Sequence, residues 1–239
     1  MAIQSSLLKR EQIAEGTMAF HFLRPAGWSF RAGQTLDLTL PDPPETDGEG
    51  NTRTFSIASA PDEDSLMVAT RMRDTAFKRV FKRMPIGSKV QIEGPSGDLV
   101  LHNNVARAAV LLAGGIGITP FHSMVFRAAR EKLHHRIFLF YSNRRPEDAP
   151  FLSELAALEK ANTHYRFIPT MTEMAKSAQQ WQGEIGLINK EMLDRNLKDG
   201  TSPIYYIAGP PAMVKGLHQM LNTAGVDDDD IRSEEFSGY

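Results

Sequence analysis

Ala108-Ala109-Val110-Leu111-Leu112-Ala113-Gly114-Gly115-Ile116-Gly117-Ile118-Thr119-Pro120 decides how the second half of this chain folds. Its first five residues are a continuous apolar run, the pattern of a parallel strand buried on both faces. The turn that follows carries three glycines and ends in Pro120, which suits the first turn of a helix because no N–H is needed there. Gly115 and Gly117 let the backbone turn tightly and approach a pyrophosphate with no Cβ in the way. The free N–H groups of the helix start then face an anion. A glycine turn of this kind also serves packing alone, and the third glycine of the dinucleotide fingerprint is absent. By itself the turn leaves both readings open.

Downstream of this turn, strand and helix patterns alternate. Residues 120–133 read as a helix, 137–141 as a buried strand, 149–161 as a helix and 166–170 as a strand. Residues 188–195 read as a helix, 204–208 as a strand, 211–224 as a helix and 231–236 as an edge strand. Repeated βα units imply a parallel, Rossmann-like sheet covered by helices on both faces. The acid run Asp227–Asp230 reads as a solvated turn before the last strand. In a dinucleotide fold an acid after the second strand holds a ribose. Here that strand runs into Tyr141-Ser142-Asn143-Arg144-Arg145. Two arginines at such a tip suit a 2′-phosphate and favour NADPH slightly over NADH; the alternative is that both are solvated loop residues.

Upstream, the chain reads as antiparallel β-structure broken by turns. Residues 34–40 place Leu36, Leu38 and Leu40 on one face and Asp37 and Thr39 on the other. Residues 4–13, 17–24, 53–59, 65–71 and 89–93 are further strand candidates. Residues 41–50 are rich in proline, glycine and acid, and read as a loop. Phe77, Val80, Phe81 and Met84 share a face of one short helix ended by Pro85 and Gly87. Several short strands at this spacing predict a small antiparallel barrel. The expected architecture is therefore two domains, a β-barrel over residues 1–103 and a Rossmann-like α/β domain over residues 104–239.

Composition narrows the function classes. The 239 residues include no cysteine, which excludes disulfides, thiol catalysis and a cysteine-ligated iron–sulfur cluster within them. With 27 basic and 29 acidic residues the net charge is −2, unlike the basic excess of nucleic-acid binders. No apolar run approaches the roughly 20 residues of a membrane helix, and the first residues lack a signal-peptide pattern. The expectation is a cytoplasmic protein with no nucleic-acid or membrane partner. The seven histidines show no metal spacing, and no metal is expected. No Gly-x-Ser-x-Gly elbow anchors a hydrolase triad.

Within the first half, Arg53-Thr54-Phe55-Ser56-Ile57-Ala58-Ser59 puts a cation, an aromatic ring and hydroxyls within four positions. Arginine neutralises a pyrophosphate, an aromatic stacks on a planar ring, and a hydroxyl bonds a ring nitrogen. An ordinary edge strand with a core phenylalanine has the same composition. Three further segments, in order, change that balance. They are Gly94-Pro95-Ser96-Gly97, the glycine turn ending in Thr119-Pro120, and Gly209-Pro210-Pro211 followed by Met213. Together with Arg53, Phe55 and Ser56 they resemble the motifs of the ferredoxin–NADP⁺ reductase superfamily of flavoenzymes. The ending Glu235-Phe236-Ser237-Gly238-Tyr239 is similar to that of bacterial members, and the resemblance spans nearly the whole chain.

The resemblance implies an FAD-dependent NAD(P)H oxidoreductase, with FAD favoured over FMN. Hydride would pass from NAD(P)H to flavin, and electrons then to a separate acceptor such as ferredoxin or flavodoxin. It implies that Arg53 contacts the FAD pyrophosphate, that Phe55 stacks on the isoalloxazine and that Ser56 bonds near its N5. Thr54 belongs to the same strand motif. Val68, Thr70 and Arg71 would line the flavin tail, and the turn at Thr75, Ala76 and Phe77 would cradle its phosphates. Gly114, Gly115, Gly117, Thr119 and Pro120 would face the nicotinamide nucleotide, with Ser142, Asn143, Arg144 and Arg145 at its far end. Gly209, Pro210 and Met213 would lie beside the nicotinamide, and Phe236 or Tyr239 would cover the other flavin face. Ser56 and Thr119 are the residues expected nearest the chemistry.

Two departures stand out. Asp74-Thr75-Ala76-Phe77-Lys78 replaces the superfamily's glycine and serine in the phosphate turn, and Ala208 stands where a cysteine is common. Two alternatives follow: a flavin reductase that releases reduced free flavin, and a flavin-binding subunit inactive without its partner.

Overall fold

The computed structural model describes residues 2–197 and 202–236. Tyr239, expected to cover a flavin face, lies outside them. The described residues form two six-stranded sheets, one antiparallel and one parallel.

The antiparallel sheet comes first in the chain. Its strands are β1 (Ile3–Ala14), β2 (Thr17–Leu23), β3 (Thr35–Thr39), β4 (Thr52–Ser56), β5 (Ser65–Arg71) and β6 (Lys89–Ser96), and helix α1 (Ala76–Arg83) lies between β5 and β6. Their spatial order is β4-β3-β6-β1-β2-β5. The sheet curls so that its two edge strands approach, and the Ala58 N–H donates to the Met67 carbonyl at 2.7 Å. Alternation in β3 turns Leu36 and Leu38 inward, as the sequence predicts, with Asp37 and Thr39 half-exposed. α1 buries Phe77 and Phe81 among Phe20, Phe22, Leu36 and Leu38. The Phe81 ring stacks on Phe20 with centroids 3.8 Å apart. Thr75 caps this helix, its hydroxyl accepting the Lys78 N–H at 3.4 Å.

The parallel sheet holds β7 (Ala109–Gly114), β8 (Ile137–Asn143), β9 (Tyr165–Met171), β10 (Glu184–Ile185), β11 (Ile204–Gly209) and β12 (Ile231–Glu235). Helices α2 (Ile118–Arg130), α3 (Leu152–Ala161), α4 (Lys190–Asn196) and α5 (Pro211–Thr223) connect and cover it. The order is β10-β9-β8-β7-β11-β12. β7 explains its own apolar run: Leu111 and Ala113 pack with residues of α2 and α3, while Val110 and Leu112 pack with residues of α4 and α5. The chain winds outward from β7 through β8 and β9, then returns to its other side with β11. That reversal opens a crevice beyond the carboxyl ends of β7, β8 and β11, where ligands of such sheets bind.

α3 starts three residues later than its sequence pattern predicts, because Phe151 adopts a left-handed conformation (φ 64°) just before it. β10 escapes the sequence reading altogether, being two residues long and defined only by pairing with β9. The two sheets are joined by side chains. His122 Nδ1 donates to the Ala58 carbonyl at 2.7 Å, and the Ser123 hydroxyl to the Ser59 carbonyl at 2.6 Å. Among the described residues no helix is long and apolar enough to cross a membrane.

Candidate functional site

Two pockets adjoin where β5 leaves the antiparallel sheet. The first, of about 410 Å³, is lined by Arg53, Thr54, Phe55 and Ser56 of β4 and by Ala69, Thr70 and Arg71 of β5. Glu49, Arg73, Thr75 and Lys78 line its rim, and Ile116, Thr119 and Phe236 enter from the parallel sheet. The second, of about 500 Å³, lies in the crevice of the parallel sheet. It is lined by Gly114, Gly115, Ser142, Asn143, Arg144, Thr172, Leu187, Pro210 and Met213, with Gly16, Arg71, Met72 and Arg73 from the other half. Arg71 and Arg73 line both pockets.

The chemistry of the first pocket fits a flavin nucleotide. Four cations converge there, which suits a polyanion. Burial, then the charges of Arg73 and Arg53, pushes the Lys78 ammonium below the ordinary lysine value. A cluster of like charges is thus held close, and an anion there relieves it. The Ser56 hydroxyl is buried with no hydrogen-bond partner among the described residues, so its donor is available to a bound ring. The Phe55 ring is half-buried and lies 5.9 Å from Phe81, with the pocket beside it. These residues would hold the flavin; Ser56 and Thr119, expected nearest the chemistry, both line this pocket.

Several expected residues lie elsewhere. Val68 is fully buried in the barrel core, because alternation along β5 turns it to the face opposite Ala69, which lines the pocket. Phe77 is also core, with the Arg53 guanidinium 5.1 Å above its ring centre. Ala76 offers only its N–H, which donates to Asp47 Oδ2 at 3.1 Å. Thr119 lines the first pocket rather than the second, and its hydroxyl donates to the Ile116 carbonyl at 3.0 Å. Pro120 is buried within the first turn of α2.

Gly117 does not line the nucleotide pocket. A Cβ there would stand 2.2 Å from the Ala208 carbonyl oxygen, so the glycine lets α2 pack on β11. Gly209 has a related role: a Cβ would lie 3.2 Å from Gly114, and its carbonyl accepts the Phe236 N–H at 2.9 Å. That bond brings Phe236 to the first pocket.

At the end of β8 the two arginines part. Arg144 lines the second pocket, and among the described residues its side chain makes no ion pair or hydrogen bond. Arg145 turns away. It pairs with Asp148 at 2.9 Å and also with Glu15, tying β8 to β1. Asn143 is buried with both amide atoms unpartnered, at the lining of the pocket. Leu187 and Thr172 of this pocket, and Glu49, Arg73 and Lys78 of the other, escape sequence reasoning. They sit on loops and helix starts whose neighbours are distant in the chain.

A third opening, a groove of about 730 Å³, shares Thr54 with the flavin pocket and is lined by Ser96, Asp98, Arg232 and Glu234 among others. Burial pushes the Glu234 carboxyl above the ordinary glutamate value.

Comparison with known proteins accords with this geometry. Residues 111–219 match the oxidoreductase NAD-binding domain family. The chain is 26% identical over 223 residues to the glycine betaine monooxygenase reductase subunit of Chromohalobacter salexigens, covering 92% of this chain and 60% of that protein. It is 28% identical over 210 residues to the electron transfer component of anthranilate 1,2-dioxygenase of Acinetobacter baylyi, covering 87% and 58%. The chain spans 44% to 60% of the length of the curated relatives named first among its matches. A crystal structure of a ferredoxin–NADP⁺ reductase from Neisseria gonorrhoeae, with bound FAD and NADP, superposes with a TM-score of 0.80 at 25% identity over 98% of both chains.

Proposed function

We propose that this chain is a ferredoxin–NADP⁺ reductase-like oxidoreductase that takes hydride from NAD(P)H and passes electrons to a further acceptor. Residues 1–103 would hold FAD and residues 104–239 the nicotinamide nucleotide. The reading is carried by the pair of adjoining pockets that share Arg71 and Arg73. Adjoining pockets would let a flavin and a nicotinamide nucleotide be held side by side, which is what hydride transfer needs. Bound flavin supplies the redox chemistry: it accepts a hydride and releases electrons.

The chain's own residues do the positioning. Arg53, Arg73 and Lys78 neutralise phosphate, and the Ser56 hydroxyl donates to the ring seated against β4. Phe236 lines the same pocket and would help exclude water from it. Gly114 and Gly115 admit the nicotinamide nucleotide to the crevice, and Arg144 favours the 2′-phosphate of NADPH over NADH. These residues hold no cysteine and ligate no iron–sulfur cluster themselves; the acceptor proposed is an electron carrier of the ferredoxin or flavodoxin kind, or an oxygenase component. Bleaching of the flavin absorption band by NADPH under anaerobic conditions, within seconds of mixing, is expected. A spectrum unchanged by both nicotinamides would sink the reading. Reduction of a ferredoxin or flavodoxin in a cytochrome-coupled assay tests the acceptor.

One observation favours a second reading, reduction of a freely exchanging flavin. The Arg53 guanidinium and the Ala76 N–H are already engaged by carboxylates of the loop at residues 41–50. Loss of flavin on gel filtration, with turnover restored by added FMN or riboflavin, would support it.

A further inference from the structure

The acid loop between β3 and β4 lies on the residues that would hold flavin phosphate, and it is pinned there at three points. Asp47 Oδ2 accepts the Ala76 N–H at the start of α1 at 3.1 Å, while Asp47 Oδ1 stands 3.6 Å from Arg53. Glu49 pairs with Arg53 at 2.8 Å. Glu45 accepts from Arg79 on the next turn of α1, at 2.6 to 3.2 Å. Arg53 Nη1 donates to the carbonyls of Glu49, Gly50 and Thr52. Both terminal nitrogens of the guanidinium are therefore turned to the loop. A carboxylate on a cation and on a helix-start N–H takes the same donors a phosphate oxygen takes.

The loop is also built to leave as a unit. The Leu40 N–H donates to the Asn51 carbonyl at 2.9 Å and the Asn51 amide to the Leu40 carbonyl at 2.7 Å, closing its neck. Beyond that neck the β3–β4 ladder continues from Thr39 opposite Thr52. The loop can swing away without disturbing the strands, and positive φ at Asp42 and Gly50 marks its two bends.

We propose that Asp47 and Glu49 act as an exchangeable internal anion that fills the phosphate cradle and is displaced by the flavin phosphates. The two carboxylates thereby set how tightly a phosphate-bearing flavin is held. The inference rests on the flavin reading given above and deepens it. Binding then draws on the fraction of molecules whose loop is open, and the apparent affinity falls by that fraction. Riboflavin, which has no phosphate, does not compete with the loop.

The test is equilibrium binding of FAD, FMN and riboflavin to flavin-stripped protein, followed by quenching of flavin fluorescence. In Asp47→Asn/Glu49→Gln, FAD and FMN are expected to bind about tenfold more tightly, with riboflavin unchanged. Equal or weaker FAD binding in the double variant would overturn the proposal and make the carboxylates supports for Arg53. A parallel gain for riboflavin would also overturn it, since that reports a general loosening. Absence of FAD binding in wild type and variant alike would remove the flavin reading itself, and the inference with it. Limited digestion with a glutamate-specific protease gives a second readout. FAD is expected to speed cleavage after Glu45 and Glu49 in the wild type, and protection would contradict displacement.

Discussion

The two pockets meet at Arg71 and Arg73, yet they handle charge in opposite ways. On the flavin side Arg53 is held by Asp47 and Glu49, and Arg79 by Glu45 and Asp74. On the nucleotide side Arg144 has no partner among the described residues, and the buried Asn143 amide has none either. An arginine already paired with carboxylates, as Arg53 is, binds an anion by exchange; one whose donors stand open, as those of Arg144 do, binds it directly. The difference suits a nucleotide that comes and goes at every turnover beside a flavin held under the control of a loop.

The comparison breaks most readily at Arg53. Arg53→Ala removes charge-assisted hydrogen bonds worth about 1.5–3 kcal/mol, so FAD affinity should fall by roughly 100-fold while NADPH protection against proteolysis is kept. Equal loss of both ligands would show that the pockets are one site in energetic terms. Gly117→Ala is the next largest. Its Cβ would meet the backbone oxygen of Ala208 at 2.2 Å, which cannot move aside, and overpacking of this kind costs about 1–3 kcal/mol. At Gly114 the nearest neighbour is the Met213 thioether, a flexible side chain, so Gly114→Ala should lower the melting temperature less. A larger drop for Gly114 would contradict the packing role given to Gly117.

Arg144→Ala should raise the KM for NADPH about tenfold and leave NADH unchanged, one charged contact being worth about 1.4 kcal/mol or somewhat more. Arg145→Ala should leave both KM values alone and lower thermal stability instead, because its guanidinium joins Glu15 and Asp148. Equal effects on NADPH and NADH at Arg144 would remove the 2′-phosphate reading.

The sequence makes the βα alternation and the glycine turn legible because burial on both faces of β7 leaves a run with no polar residue. It makes Arg53, Phe55 and Ser56 legible as one strand motif for the same local reason. It separates Arg144 from Arg145 not at all. Adjacent residues at a strand end face opposite ways, and which one meets the pocket depends on Glu15, 130 positions away. Val68 misleads similarly: it lies within a motif but on the core side of β5. The acid loop is visible as a loop, but its hold on Arg53 and α1 comes from contacts of Asp47 and Glu45 with residues 29 and 34 positions away.

The halves also differ in how acid should reach them, and this is the gentlest of the expected effects. In the antiparallel half the hydrogen bonds from Arg79 hold the Glu45 carboxyl below its ordinary value. At Asp47 partial desolvation pulls upward, but N–H bonds from Glu49 and Ala76 and the charges of Arg53 and Arg79 outweigh it. Their stabilisation is complete above the unfolded carboxylate range of about 4 and is lost only as pH falls through the lower folded values. Against the parallel sheet, where His102 meets Tyr206 of β11, burial lowers the His102 and His135 values. Neutral His102 fits the geometry: its Nε2 faces the Arg107 carbonyl as donor, and the Tyr206 hydroxyl, which accepts the His102 backbone N–H, has its own proton to give to Nδ1. For a histidine whose folded value is depressed, the unfolded chain takes up protons first, so stability is full above about 6.5 and falls as pH drops below it. The parallel half should therefore weaken between pH 7 and 5, before the carboxylates of the other half respond. Trp28 lies in the barrel core and Trp181 packs against the parallel sheet, so Trp181→Phe and Trp28→Phe give one reporter for each half. The thermal midpoint reported by Trp181 should fall first on acidification, and less so in His102→Gln/His135→Gln. A Trp28 signal that falls first would reverse the assignment of the acid-sensitive half.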